Sequence, residues 1–101
     1  MSESSLTAPV EITVVESAGC HFCADAHQVL TSLSARYPIE VASLDVDTDE
    51  GRQLMARHRA AMSPLVLVDG VFFSNGRLPR RKLDKILDKR FGRPAATSLV
   101  G

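Results

Sequence analysis

The sequence predicts an α/β fold with a mixed four-stranded sheet, elements in the order β-α-β-α-β-β-α, and helices on both faces. Two observations carry this prediction. Strand-like and helix-like segments alternate through the first half of the chain, which is typical of a parallel βαβ unit with a right-handed crossover. A short apolar strand then runs into Asp69-Gly70, a strong signal for the turn of an antiparallel hairpin.

The four strands follow from side-chain patterns. Residues 10–17 (VEITVVES) alternate and are rich in β-branched side chains, which indicates a strand, and residues 39–47 have the same character. The run at residues 64–70 is almost continuously apolar, as is typical of a strand buried on both faces. Residues 71–74 supply the strand that returns after the turn.

Three segments have helical periodicity. The first helix starts at the cysteine segment, ends at Pro38, and has an apolar stripe of period 3.6 made of Phe22, Ala26, Val29, Leu30, Leu33 and Tyr37. A second, weaker helix follows Thr48 or Asp49, both suitable N-caps, and contains Gly51. The third opens at Pro79, which suits the first helical position. Its apolar side consists of Leu83, Ile86, Leu87 and Phe91.

Length and composition indicate one small domain. The chain has 101 residues, and 45% of them are hydrophobic, which is enough for a core. We expect a domain over residues 10–92, a loose leader over residues 1–9 and a tail over residues 93–101. The N-terminus lacks the basic and apolar regions of a signal peptide, and no stretch approaches the roughly 18 apolar residues of a membrane span. We therefore expect a cytoplasmic protein without a membrane partner. We also expect it to be a monomer.

Charge is segregated along the chain although the net charge is zero. Residues 77–93 contain eight basic and two acidic residues, a net charge of +6, and the remainder of the chain carries −6. Two interpretations stay open: a solvated helix face, or an electrostatic guide for an acidic partner or an anionic small molecule. No nucleic-acid partner is expected, because the chain has only five aromatic residues and the basic segment contains a single one of them, Phe91.

Cys20 and Cys23 are the only cysteines, and they allow a structural disulfide, part of a metal site or a redox pair. Cys20 falls where the first strand gives way to the first helix. Unpaired N–H groups and the positive end of the helix dipole favour a thiolate there and lower its pKa. Cys23 lies one turn further on, within reach of Cys20. The pattern favours a dithiol in which an exposed Cys20 attacks and a more buried Cys23 resolves the mixed disulfide.

The residues around the pair leave alternatives open. A protonated His21 would stabilise the thiolate further, although His21 also suits a solvent-facing position. Phe22 belongs to the apolar stripe, so we expect it to pack in the core or to support the edge of the active site. Cys20, Cys23 and His27 share one side of the helix, but a structural zinc site normally needs four ligands. We expect no metal within a monomer and interpret His27 as a polar residue beside the apolar stripe. A cluster bridged between two subunits stays an alternative.

Three segments of the chain form a recognisable combination: "GCHFC" opening a long helix after a strand, "VASLDVDTD" at the second strand, and the later "SPLVLVDG". In these features the sequence resembles the thioredoxin superfamily, and more closely a small glutaredoxin-like protein, over about residues 10–91. The resemblance implies that Cys20 is the nucleophile and Cys23 the resolving cysteine. It also implies a cis Ser63–Pro64 bond, although the base rate for X-Pro bonds favours trans. It implies that Ser63 and Pro64 bind substrate in the manner of an added strand.

The function that this resemblance implies is that of a thiol–disulfide oxidoreductase without a bound cofactor. Its substrate would be a disulfide in a protein or a low-molecular-weight thiol, with glutathione or another such thiol as a possible co-substrate. Its partners would be a disulfide-bearing protein and a reductant that the sequence does not identify. A non-enzymatic redox-sensing or iron–sulfur cluster-binding module of the same fold is the alternative.

Two segments differ from the glutaredoxin pattern. His21 and Phe22 stand where glutaredoxins usually have Pro-Tyr, and "SNGRLPRR" replaces their glutathione-binding Gly-Gly segment. In that second segment, we expect Arg77 and Arg80 to form an anion-attracting rim beside the thiolate, with Arg77 in contact with substrate.

Overall fold

The computed structural model describes residues 8–92, which form four strands and three helices. The strands are β1 (Val10–Glu16), β2 (Ile39–Asp45), β3 (Leu65–Val68) and β4 (Val71–Asn75). The helices are α1 (His21–Ser34), α2 (Asp49–Arg57) and α3 (Arg80–Phe91). This element order confirms the predicted fold class. The predicted tail and nearly all of the predicted leader lie outside the described residues.

The strands form one mixed sheet in the order β2-β1-β3-β4. β1 pairs with β2 in parallel and with β3 in antiparallel orientation. β3 returns into antiparallel β4 through Asp69 and Gly70, whose φ angles of 51° and 81° suit a hairpin turn with two positive φ values. Val15 lies opposite Leu65, so the residues that follow β1 and those that precede β3 meet at the same end of the sheet.

Helices cover both faces of the sheet, as predicted. Successive residues of β1 point to opposite faces, so Val14 belongs to one apolar cluster and Val15 to the other. The larger cluster joins the sheet to α1 and α3, and its buried members are Val10, Ile12, Val14, Ala26, Val29, Leu30, Leu33, Tyr37, Val66, Phe73, Leu78, Leu83 and Leu87. The smaller cluster packs Val15, Leu65 and Leu67 against Leu54 and Met55 of α2.

The apolar stripe of α1 is buried as predicted with one exception, Phe22. Its side chain is 41% exposed, so the expectation that it packs in the core is wrong. The buried stripe runs instead through Cys23, Ala26, Leu30 and Leu33. Consecutive helical residues are rotated by about 100°, so a stripe centred on Cys23 leaves Phe22 at the side of the helix.

Helix α3 differs from the prediction in two respects. Pro79 is its N-cap and not its first helical residue, and Ile86, expected on the apolar side, is 38% exposed. Leu83 and Leu87 are its buried residues, so α3 packs on the sheet through a narrow stripe. None of the three described helices is long and apolar enough to cross a membrane.

Helix α2 begins in a tight cap. The hydroxyl of Thr48 accepts a hydrogen bond from the N–H of Gly51 at 3.0 Å and donates one to the carbonyl of Asp45 at 2.7 Å. Gly51 is buried, and a Cβ at this position would overlap the carbonyl oxygen of Asp45. Glycine weakens a helix in isolation, but here the close approach of Asp45 requires it.

We expect Gly51→Ala to lower the free energy of unfolding by about 1–3 kcal/mol, because the added methyl must displace the Asp45 backbone. In an isolated helix the same change would be stabilising by up to about 1 kcal/mol, so the sign of the effect tests the contact. Urea unfolding provides the measurement. Gln53→Ala, on the exposed side of α2, is the control and should stay within about 0.5 kcal/mol of the parent protein. A Gly51→Ala variant more stable than the parent would contradict the close approach.

A polar cluster joins the C-terminal end of α1 to α3. The hydroxyl of Tyr37 donates a hydrogen bond to Asp84 at 2.9 Å, and the guanidinium of Arg36 donates to the same carboxylate oxygen at 2.6 Å. Burial is the largest cause that raises the pKa of Tyr37 above its ordinary value of 10.0, while the hydrogen bond from Arg36 acts in the opposite direction. The fold therefore stabilises the neutral phenol.

The stability that Tyr37 adds should depend on pH. Because its pKa is higher in the folded chain, this contribution is complete below about pH 10 and is lost as the pH rises through the folded-state pKa. We expect Tyr37→Phe to lower the free energy of unfolding at neutral pH by about 1–2 kcal/mol, because the hydrogen bond to Asp84 and the one from Arg36 are both lost. The variant should also lose less stability than the parent above about pH 10. Urea unfolding from neutral pH to above about pH 10 measures both effects. If the free energies of unfolding of the parent and the variant depend on pH in the same way, Tyr37 does not contribute as a stabilised neutral phenol.

Candidate active site

The cysteine pair lies at the end of β1, where the chain turns into α1. Cys20 is the N-cap of α1 and Cys23 lies in its first turn. Their α-carbons are 5.2 Å apart and their sulfurs are joined in a disulfide. Cys20 is half-buried, whereas Cys23 is only 4% exposed. This difference in access is what an attacking cysteine and a resolving cysteine require.

The start of α1 favours negative charge on the Cys20 sulfur. That sulfur accepts a hydrogen bond from the backbone N–H of Cys23 at 3.1 Å. The positive end of the helix dipole lies at the same place, and no acidic residue occupies the first turn to offset it. Hydrogen bonding and the dipole therefore both stabilise the thiolate, which is the nucleophilic form of cysteine.

The segment before β3 faces the cysteine pair. The Ser63–Pro64 peptide bond is cis, as the resemblance implies and against the base rate for such bonds. Because β3 pairs with β1, this segment lies beside the loop that follows β1, and the carbonyl oxygen of Ser63 is 3.8 Å from the Cys20 sulfur. Pro64 is buried, and its carbonyl accepts a hydrogen bond from the N–H of Gly76 at 3.0 Å.

Two hydroxyl groups beside the disulfide were not predicted from the sequence. The Oγ atoms of Ser17 and Ser63 are 2.9 Å apart and hydrogen-bonded, and the Ser63 Oγ lies 3.8 Å from the Cys20 sulfur. Ser63 can therefore donate a hydrogen bond to a thiolate while Ser17 holds its hydroxyl in place. In the sequence, the only sign of this pair is a serine directly after β1 and another shortly before β3. The pairing of β1 with β3 brings these two segments together.

A second pair that was not predicted flanks the site. Glu16, the last residue of β1, has its carboxylate 2.9 Å from the Nε2 of His27 on α1, and both side chains are half-buried. Glu16 also lines the cavity of about 440 Å³ that contains Cys20, His21 and Cys23. His27 thus binds a carboxylate beside the cysteine pair and does not complete a ligand set with the two sulfurs.

Metal binding finds little support in this geometry. Within residues 8–92, no three or more His, Cys, Asp or Glu side chains are grouped so that they could hold a metal ion. The two sulfurs are bonded to each other, and His27, which lies on the same side of α1, is paired with Glu16. The chemistry that the described residues support is thiol–disulfide exchange.

The remaining predicted site residues lie in two places. His21 and Phe22 are both exposed between the cysteines, and His21 lines their cavity. Arg77 lines a different cleft, together with Asp25 and Val29 of α1. The expected basic rim therefore follows the side of α1 and is not part of the cavity around the disulfide, because the segment after β4 reaches α1 beyond its first turn.

Solved structures similar to this chain include thioredoxins and a thioredoxin-like protein. An uncharacterized thioredoxin-like protein from Clostridium perfringens aligns over 82% of this chain and 71% of its own length, with a TM-score of 0.66 and 13% identity. Thioredoxin from Fasciola hepatica aligns over 86% of both chains, with a TM-score of 0.59 and 18% identity. Oxidized mitochondrial thioredoxin 3 from Saccharomyces cerevisiae aligns over 85% of this chain and 84% of its own, with a TM-score of 0.58 and 18% identity.

These likenesses establish the fold. No family profile and no curated protein matches the sequence. The chain therefore has a thioredoxin-like fold that carries a Cys-x-x-Cys disulfide at the start of α1.

We expect Ser63→Ala to slow alkylation of Cys20 in the reduced protein by about threefold to tenfold, because the thiolate loses a hydrogen-bond donor. The rate with iodoacetamide at mildly acidic pH measures the effect, since only the thiolate reacts. Ser43→Ala, at an exposed position of β2, is the matched control and should leave the rate unchanged. Equal rates in the two variants would mean that the Ser63 hydroxyl does not stabilise the thiolate.

Proposed function

We propose that this protein is a thiol–disulfide oxidoreductase whose Cys20/Cys23 dithiol reduces or exchanges disulfides in a protein or low-molecular-weight thiol substrate. The observation that carries the proposal is the environment of Cys20: a half-exposed sulfur at a helix N-terminus, bonded to a buried Cys23 and beside the Ser63 carbonyl. The thioredoxin-like fold supports the general class of reaction.

The reaction begins with the thiolate of Cys20, which attacks one sulfur of the substrate disulfide. The other substrate sulfur leaves as a thiolate and takes up a proton from solvent, so a mixed disulfide forms. Cys23 then loses its proton and attacks the Cys20 sulfur, which releases the second substrate thiol. Two electrons pass from the dithiol to the substrate, and the protein is left with the Cys20–Cys23 disulfide.

Ser63 and Pro64 are proposed to hold the substrate chain beside the nucleophile. The Ser63 carbonyl lies next to the Cys20 sulfur and can accept a hydrogen bond from a substrate N–H, as an added strand would provide. The exposed ring of Phe22 offers an apolar contact on the same rim. His21 lines the cavity, and when protonated it adds positive charge near the thiolate.

We further propose that the protein works as a cytoplasmic monomer without a bound cofactor, nucleic acid or membrane. Its disulfide must be reduced again by glutathione, by another low-molecular-weight thiol or by a reductase. Two assays that follow the consumption of NADPH distinguish these donors. One contains glutathione with glutathione reductase, and the other contains thioredoxin reductase alone. Gel filtration of the purified chain measures its oligomeric state.

The division of roles between the cysteines has a direct test. Cys20→Ser should lower the turnover of hydroxyethyl disulfide at least about a hundredfold, because the attacking sulfur is gone. Cys23→Ser should attack once and stall, so that mass spectrometry finds one substrate thiol bound to Cys20. Ser34→Ala, at the far end of α1, is the control and should retain parent activity. Full turnover by Cys20→Ser would eliminate this mechanism.

A cluster-binding or redox-sensing module of the same fold would behave differently. Anaerobically purified protein that contained stoichiometric iron and sulfide would replace the proposal with the cluster-binding alternative. A protein that oxidised once but did not turn over with any donor would replace it with the sensor. Iron-free protein with sustained turnover supports the oxidoreductase.

A further inference from the structure

A strongly basic cleft lies apart from the cavity of the disulfide, between the side of α1 and the start of α3. We call it the basic cleft; it encloses about 660 Å³, and its lining includes Asp25, Val29, Arg77, Arg80, Arg81 and Lys82. All four cations are exposed. In the part of the chain from residue 8 to residue 92, none of them has a carboxylate within ion-pairing distance. The cleft is thus a concave surface on which four cations outnumber a single carboxylate, that of Asp25.

The positive surface continues from the basic cleft along α3. Lys82, Lys85 and Lys89 are exposed and lie at i, i+3 and i+7, so they share one side of the helix. The two acidic residues of α3, Asp84 and Asp88, are half-buried. A helix of 12 residues is about 18 Å long, which exceeds the size of a small anion. The length of this surface therefore favours an extended chain that carries several carboxylates.

The basic cleft starts close to the cysteine pair. Phe22, Asp25 and Val29 lie at i, i+3 and i+7 of α1 and form one stripe that leads from the pair into the cleft. Asp25 is five residues beyond Cys20, about 7.5 Å along the helix axis. A chain bound in the cleft can therefore continue over Phe22 and present a disulfide to Cys20.

Helix stability does not account for this cluster. Arg80 and Arg81 occupy the first turn of α3, where positive charge opposes the helix dipole, and that turn contains no acidic residue. The cations of the cleft also repel one another. A negatively charged ligand reduces both the repulsion between the cations and the repulsion with the helix dipole. Residues that contradict a local structural preference, here the preference for acidic residues in the first turn of a helix, are characteristic of functional surfaces.

We propose that the basic cleft docks an acidic segment of a disulfide-bearing protein substrate and thereby selects which disulfides reach Cys20. This inference rests on the proposed oxidoreductase function. Complementary charge of this kind acts mainly on the rate of encounter, so the cleft determines specificity and takes no part in the chemical step. A nucleic-acid strand is the weaker fit, because none of the residues that line the cleft is aromatic.

The test uses two peptides that differ only in charge. In each, a cysteine is disulfide-linked to a fluorescence quencher; one peptide carries several Asp residues beside this cysteine, and the other carries Asn at the same positions. Pre-reduced protein, freed of excess reductant, reduces one peptide disulfide as its own dithiol is oxidised. At low ionic strength, we expect the acidic peptide to react about tenfold faster than the neutral one. The advantage should shrink as salt screens the charges.

Two double variants make the comparison specific to the basic cleft. Arg80→Gln/Arg81→Gln should reduce the ratio of the acidic to the neutral rate by at least about threefold. Arg52→Gln/Arg57→Gln removes the same charge from α2, on the opposite face of the sheet, and should keep the parent ratio. Thermal melting of both variants verifies that they remain folded.

Each outcome has a distinct meaning. If the parent protein reduces both peptides at one rate, or if the two double variants retain the same ratio, the docking proposal is overturned and the oxidoreductase function stands. If the parent reduces neither peptide, both proposals fall. Binding of a single-stranded oligonucleotide and of phosphatidylserine vesicles is measured as well. If one of these binds the parent but not Arg80→Gln/Arg81→Gln, and the parent shows no preference between the peptides, the proposal is overturned in favour of that ligand.

Discussion

The antiparallel pairing of β1 with β3 is the interaction on which the candidate site depends. These strands are far apart in sequence, and the register that places Val15 opposite Leu65 brings the end of one beside the start of the other. The Cys20 sulfur thereby comes within 3.8 Å of the Ser63 carbonyl. A slip of one residue would turn the buried side chains of a strand to the wrong face, so one register maintains both apolar clusters and the site.

Rotation about the axis of α1 gives the two cysteines their different environments. Cys23 lies on the buried stripe that packs against the sheet, whereas Cys20 caps the helix at the edge of the fold. Burial therefore shields the Cys23 sulfur, whereas the Cys20 sulfur is only half-buried and receives a backbone hydrogen bond. The pairs Ser17–Ser63 and Glu16–His27 border this arrangement with polar groups from the end of β1, the neighbouring loops and α1 itself.

The charges of the chain are arranged around the same helix. One end of α1 carries the cysteine pair, and its side contributes Asp25 and Val29 to the basic cleft. The opposite end is joined to α3 through Tyr37 and Asp84. Helix α1 thus borders both the cavity of the disulfide and the basic cleft, and its C-terminal end is joined to the last helix.

The sequence alone determined the element order, the hairpin at Asp69-Gly70 and the position of the cysteine pair at the start of a helix, because periodicity, turn residues and caps are local signals. Only the tertiary structure decided that Phe22 lies exposed at the side of α1 and not in the core. It also decided that Gly51 is required by a neighbouring carbonyl and that Arg77 lines α1 away from the disulfide cavity. These features depend on which strands pair and on how each helix is rotated against the sheet. Both are determined by tertiary contacts, which local sequence patterns do not predict.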